Sequence, residues 1–279
     1  MSTTPDLLEL VDRALSEDLN SGDLTSEALF SPAARARASV ISRQRLVVSG
    51  LEAAALVFSR LDDRCRFKRT ATEGAMVRRG KVLASVSGPT RALLAGERTA
   101  LNFLRHLSGI ATLTREYVEA LAGTDCTLLD TRKTTPGLRV LEKAAVRAGG
   151  GSNHRGGLSD GVMIKDNHIS AAGSIRSAVE AARHTAPPTV RIEVECADLA
   201  QVRKALAAGA DIIMLDNMPP ARIEKALAVI DGRALTEASG NLTLENIRRV
   251  AETGVDFVSV GALTHSAPSA DIAMEFEQP

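Results

Sequence analysis

From Cys126 onward, short apolar runs alternate with helical segments, and nothing else in the chain restricts its fold so strongly. The runs are Thr127–Asp130, Gly161–Lys165, Val190–Glu195, Asp211–Asp216, Ala234–Ala238 and Phe257–Val260. The helical segments are Leu138–Ala148, Ala172–Arg183, Leu199–Ala208, Ala221–Ile230 and Leu244–Thr253. Strands in strict alternation with helices predict a parallel sheet, because parallel neighbours require crossovers. Six such strands make either a barrel or an open doubly wound sheet. The strand ends favour the barrel. The first runs into Asp130-Thr131-Arg132-Lys133, the second ends at Lys165-Asp166-Asn167-His168, and the third carries Glu193 and Glu195. The fourth ends in Asp216-Asn217, the fifth in Ser239-Gly240 and the sixth in Gly261. A barrel gathers these groups on one rim, whereas an open sheet spreads them along an edge. The last two turns stand where such barrels often hold phosphate.

Upstream the period changes. Residues 6–17 and 51–62 read as helices, the second starting after Gly50, and Leu93–Leu121 as a long helical run broken at Gly109. Ala38–Val48 and Lys81–Val86 read as β. This mixture predicts an α+β N-terminal domain. With 279 residues the chain has room for one large domain or two ordinary ones. Aromatic residues are only 3%, with no Trp, so the core must be built from Leu, Val, Ile and Ala.

Lys plus Arg and Asp plus Glu are 34 each, and this balance argues against a nucleic-acid coat or a membrane-surface role. Cys65, Cys126 and Cys196 are far apart and form no metal or disulfide pattern, so buried free thiols are expected. No apolar run reaches the roughly 18 residues of a spanning helix. The N-terminus lacks a signal-peptide pattern, and a reducing cytoplasm is the expected setting.

At the rim, Arg132 and Lys133 sit side by side in a segment closed by Pro136-Gly137. Arg grips a carboxylate or phosphate with two parallel hydrogen bonds, and Lys adds a compact charge. Gly149-Gly150-Gly151-Ser152-Asn153-His154-Arg155 lets backbone approach a ligand, although its glycines also suit the end of the preceding helix. His154 taken alone is equally a hydrogen-bonded structural histidine. Lys165 has three readings: a clamp paired with Asp166, Glu195 or Asp216, a Schiff-base nucleophile, or a snorkelling lysine. Glu195 and Asp216, at neighbouring strand ends, suit a hydrated Mg²⁺ or ribose hydroxyls. Glu193 shares a face with Glu195 and takes second place.

Beyond these groups, the chain carries Glu97-Arg98-Thr99, Leu107-Ser-Gly-Ile-Ala-Thr112, Asp130-Thr-Arg-Lys-Thr-Thr-Pro-Gly-Leu-Arg139 and Glu142-Lys143. It also carries Ile164-Lys-Asp-Asn-His-Ile169, Met214-Leu-Asp-Asn217 and Gly261-Ala-Leu-Thr-His-Ser-Ala-Pro268. In these motifs it resembles the quinolinate phosphoribosyltransferase family over nearly its whole length. The resemblance implies an α/β protein with an N-terminal α+β domain, residues 1–105, joined by the C-terminal segment 268–279. An open, incomplete parallel α/β barrel, residues 106–267, follows, of the type II phosphoribosyltransferase kind. It implies a homodimer and a reaction of quinolinate with phosphoribosyl pyrophosphate and Mg²⁺, giving nicotinate mononucleotide, pyrophosphate and CO2 for NAD biosynthesis. By motif, Arg132, His154, Arg155 and Lys165 fall on quinolinate-binding positions, and Arg98 on one that reaches the neighbouring subunit's site. Lys133, Glu195 and Asp216 fall on positions serving phosphoribosyl pyrophosphate and its metal. Ser239, Gly240 and Gly261 fall on the phosphate-holding turns. One departure is Asn241, where the family usually has a second Gly; Asn tolerates positive φ better than most residues.

Three other functions stand against this reading. A phosphoribosyltransferase for another aromatic acid would share the barrel and phosphate turns. A Lys165 Schiff-base aldolase would be trapped by borohydride. A non-catalytic small-molecule-binding protein would show no turnover with phosphoribosyl pyrophosphate.

Overall fold

The computed structural model describes residues 5–277 and contains two compact units. Among the described residues, the first unit runs to Arg115, takes in Pro136–Gly150 and resumes at Ala267. The second comprises Glu116–Thr135 and Gly151–Ser266.

In the first unit, strands β1 (Arg35–Ser42), β2 (Leu46–Val47), β3 (Arg66–Arg69), β4 (Met76–Val77) and β5 (Val82–Pro89) follow the helices Pro5–Leu19 and Leu24–Leu29. The predicted strand Ala38–Val48 is thus split in two, β2 pairing only with β4. β1 is flanked by antiparallel β5 and by the C-terminal strand Ile272–Phe276, in register from Ala38↔Phe276 to Ser42↔Ile272. The helix Leu51–Leu61 has no side-chain cap of its own. Glu73 takes that place, accepting from the Gly50 N–H at 3.0 Å and the Leu51 N–H at 2.7 Å, where a carboxylate also suits the helix dipole.

Two expectations about helices need correction. The helix Thr90–Ala120 is continuous, so Gly109 does not break it. An added Cβ there would lie 2.1 Å from the Pro268 carbonyl oxygen, so the glycine admits the returning C-terminal segment. The helix Arg139–Gly149 is not one of the barrel's crossovers. It belongs to the first unit, where Gly149 packs against Ala111 and Thr114 and His106 Nε2 meets the buried Glu142 carboxylate at 2.7 Å. Gly150, at φ 98°, ends that helix. Two of the three glycines therefore serve packing and capping.

The second unit holds β6 (Thr127–Leu129), β7 (Val162–Ile164), β8 (Ile192–Cys196), β9 (Ile212–Asp216), β10 (Leu235–Ser239) and β11 (Phe257–Ser259). All neighbours are parallel, in the order β6-β11-β10-β9-β8-β7. This is a cyclic order, with the last strand beside the first, as in a barrel that is left open between β6 and β7. On the free edge of β6, Ser152 makes one parallel bridge to Leu129, with its N–H on the Leu128 carbonyl at 2.8 Å. Strand alternation divides the residues between two sides. Ile192, Val194, Cys196, Ile213, Leu215 and Val258 are fully buried on the apolar side. Glu193, Glu195, Met214, Asp216, Glu237, Ser239 and Ser259 occupy the other. The strand β12 is the Ile272–Phe276 segment already described.

Candidate active site

The C-terminal strand ends surround a cleft of about 600 Å³. It collects Arg132, Lys133, His154, Arg155, Lys165, Glu195, Asp216, Ser239 and Gly240, residues spread over more than a hundred positions of sequence. Gly261 stands beside it. A Cβ there would come within 3.0 Å of Lys133 Cδ, so the glycine leaves the path along which the lysine extends. The Lys133 carbonyl accepts from Thr264 Oγ1 at 2.7 Å and its N–H donates to Thr131 Oγ1 at 3.0 Å, which fixes the lysine's backbone at both ends.

Asp130 is fully buried. It accepts from Asn153 Nδ2 at 2.5 Å and from the His154 N–H at 2.9 Å, tying the end of β6 to the segment that carries His154 and Arg155. Arg155 is held by its own guanidinium on the Gly161 carbonyl at 3.0 Å. Burial, then the charge of Arg132, pulls its pKa down, yet a guanidinium stays charged at any working pH.

His154 sits over two buried acids. Its Nε2 is 3.0 Å from Glu193 Oε2 and 3.5 Å from Glu237 Oε2. Burial alone would lower its pKa, but the hydrogen bonds and charges of Glu193 and Glu237 outweigh burial and lift it to about 9. The Arg155 N–H, 2.7 Å from Nδ1, opposes this, because it needs a lone pair there. The neutral tautomer with hydrogen on Nε2 satisfies all three contacts at once. A second proton is taken only by giving up the Arg155 bond, which limits how far the carboxylates can raise the pKa. Burial and the neighbouring Glu237 raise the pKa of Glu193 as well. One oxygen on each acid, Glu193 Oε1 and Glu237 Oε1, is buried without a hydrogen-bond partner.

Lys165 pairs with Glu195, one of the partners considered for it. The Lys165 backbone N–H donates to His168 Nδ1 at 3.0 Å, so the His168 side chain ties the end of the strand to the first turn of the following helix. Asp216 accepts from Asn217 Nδ2 at 3.0 Å. Ser239 Oγ accepts from Ser259 Oγ at 2.9 Å. Gly240 has φ 97° and Asn241 φ 51°, so the turn keeps its left-handed backbone with Asn in the second place. Arg98 lies in the first unit, lining a smaller cleft with Glu17, Asp18, Asn102 and His106. Sequence reasoning missed Glu237 and Ser259. Both are two residues upstream of a residue singled out, Ser239 and Gly261, and strand period alone placed them on the same face.

The cleft thus brings cations, carboxylates and small-residue turns together. Such a site suits a ligand with several carboxylates and phosphates. The three cysteines lie elsewhere as free thiols, Cys65 and Cys196 buried and Cys126 half-buried. Among the described residues, no helix is long and apolar enough to cross a membrane.

Comparison with known proteins agrees over both units. Residues 23–108 match the model of the quinolinate phosphoribosyl transferase N-terminal domain, and residues 110–275 that of its C-terminal domain. The chain is 46% identical over 269 residues to a probable carboxylating nicotinate-nucleotide pyrophosphorylase of Bacillus subtilis, covering 96% of this chain and 93% of that one. It is 43% identical over 273 residues to the carboxylating nicotinate-nucleotide pyrophosphorylase of Mycobacterium leprae, covering 96% of each. The crystal structure of NadC from Streptococcus pyogenes superposes with a TM-score of 0.94 at 43% identity, covering 100% of both chains.

Proposed function

The chain belongs to the quinolinate phosphoribosyltransferase family, and on that premise we propose that it joins quinolinate to phosphoribosyl pyrophosphate with decarboxylation. The products are nicotinate mononucleotide for NAD biosynthesis, pyrophosphate and CO2. The observation that carries this reading is the composition of the cleft: Arg132, Lys133, Arg155 and Lys165 converge in it with Glu195, Asp216 and the Ser239-Gly240 turn.

Quinolinate presents two adjacent carboxylates. Arg132 and Arg155 suit bidentate grips on them, with Lys165 as a third cation. Both ring nitrogens of His154 are already engaged, so its contribution to quinolinate runs through the placement of Arg155. Lys133, Ser239, Gly240 and Gly261 serve the phosphates. Glu195 and Asp216 offer only oxygen donors at a water-accessible rim, which fits Mg²⁺ holding part of its hydration shell. When bound, the ion neutralises charge on the pyrophosphate. Breaking the bond from ribose C1 to pyrophosphate leaves positive charge on the sugar, which the Glu195 or Asp216 carboxylate stabilises. The quinolinate nitrogen takes the ribosyl group and becomes a pyridinium. Loss of the adjacent carboxylate as CO2 leaves an electron pair on the ring carbon, stabilised by that cation until a proton arrives. No organic cofactor is required. Following the family pattern, Arg98 completes the site of a second copy in a homodimer. A cytoplasmic setting, with no nucleic acid or membrane as partner, accords with the balanced charge.

The test is release of pyrophosphate and CO2 with quinolinate, nicotinate and nicotinamide in parallel. Each charge-assisted hydrogen bond is worth roughly 1.5–3 kcal/mol, so the dianion quinolinate should be strongly preferred. Comparable turnover of nicotinate sinks the substrate assignment. Full activity in a chelator sinks the role of Mg²⁺.

A further inference from the structure

We propose that Asn217 and Asn241 are positioning residues that lock the rim turns after β9 and β10 together. The lock holds Asp216 and the Gly240 backbone in one arrangement for the diphosphate of the phosphoribosyl donor. The proposal rests on the functional reading above. Both residues have left-handed backbone, φ 53° at Asn217 and φ 51° at Asn241, where Gly would be the unstrained choice. Their side chains explain why Asn stands there instead. Asn217 Nδ2 donates to Asp216 Oδ2 at 3.0 Å, and Asn217 Oδ1 accepts from Asn241 Nδ2 at 2.9 Å. Only one orientation of the Asn217 amide satisfies both contacts. Turned over, it would set oxygen against carboxylate and NH2 against NH2.

The turn is anchored on both sides. The Asn217 N–H donates to the Ser239 carbonyl at 2.8 Å, and Asn246 Nδ2 donates to the Asn241 carbonyl at 2.9 Å. Gly240 is fitted to the same bridge: a Cβ there would lie 2.2 Å from Asn217 Oδ1. A carboxylate proposed for the metal and a turn proposed for phosphate are therefore joined through two amides. If one turn shifts, the other is pulled with it.

The experiment is a double-mutant cycle on Asn217→Gly and Asn241→Gly. Glycine suits the left-handed backbone at both sites, so folding should be kept, and thermal melting checks it. Two quantities are read: KM for each substrate, and calorimetric binding of magnesium pyrophosphate without turnover. Each single variant should raise KM for phosphoribosyl pyrophosphate and weaken pyrophosphate binding about fivefold, the equivalent of one ordinary hydrogen bond. The double variant should be little worse than either single one, with KM for quinolinate unmoved. Effects that multiply, an Asn241→Gly enzyme identical to wild type, or a parallel rise in KM for quinolinate would each overturn the proposal. If wild type fails to consume quinolinate but pyrophosphate binding still shows the coupling, the functional reading falls and the bridge stands.

Discussion

Gly109→Ala opposes two effects of different sign on the helix Thr90–Ala120. Within a helix, Ala is better than Gly by about 0.8–1 kcal/mol. Against this, the new Cβ would lie 2.1 Å from the Pro268 carbonyl oxygen, 3.1 Å from its carbon and 3.3 Å from Ser269 Cα. Ordinary contact starts at 3.4 Å, so the 268–269 segment must retreat by more than an ångström. It is not free to do so. The Ala270 N–H donates to the Arg105 carbonyl at 2.9 Å, Arg105 Nε donates back to the Ala270 carbonyl at 3.1 Å, and β12 follows at once in register with β1. Overpacking of this kind costs about 1–3 kcal/mol, and each hydrogen bond strained adds up to about 1 kcal/mol. After the gain in helix propensity, the net loss is about 1–3 kcal/mol. At roughly 2–4 °C per kcal/mol for a chain of this size, Tm should fall by about 2–12 °C. Thermal melting followed by circular dichroism reads this directly. A Tm equal to or above that of wild type would refute the argument, since it would mean that Gly109 is an ordinary helix glycine.

Other expectations follow from the same structure. The imidazole of His154 should titrate above the ordinary 6.5, toward about 9, in an NMR titration, and Glu193→Gln with Glu237→Gln should bring it below 6.5 because burial then dominates. A raised folded-state pKa means that the stability from this cluster is complete below pH 6.5 and is lost as the pH rises through about 9; a His154 that titrates near 6.5 in both proteins counts against it. Burial pushes Cys65 up to about 11 and Cys126 and Cys196 up to about 12, so none should react quickly with a thiol reagent at pH 8 until the protein is unfolded; rapid labelling of the native protein contradicts this. On the proposal that Arg98 completes the site of a second copy, Arg98→Ala and Lys133→Ala should each be nearly inactive alone, while mixed heterodimers regain one intact site because both defects fall in the other; verified heterodimers without activity would place Arg98 in its own subunit's site.

The sequence by itself determined which segments become strands in the second unit, and which chemical groups stand at the strand ends. These are local properties: an apolar run has a period of its own, and Arg132-Lys133 or Asp216-Asn217 follows its strand whatever the strand packs against. The order of the strands, and so the closing of β11 onto β6, was decided by tertiary packing, because it depends on which crossovers pack side by side. The same holds for the helix Arg139–Gly149, whose amphipathic pattern reads as a barrel crossover but which belongs to the first unit and packs there against Ala111, Thr114 and His106. Gly109 shows the limit most plainly. In sequence, a glycine signals a break, a positive φ or a close approach with the same letter, and only the neighbour that arrives from Pro268, far along the chain, selects the third. Glu237 beneath His154, and the Asn217 amide between Asp216 and Asn241, were likewise fixed in space rather than in sequence. Contacts between side chains far apart in sequence depend on which segments are brought together and at what distance, and neither is carried by the residues that form them.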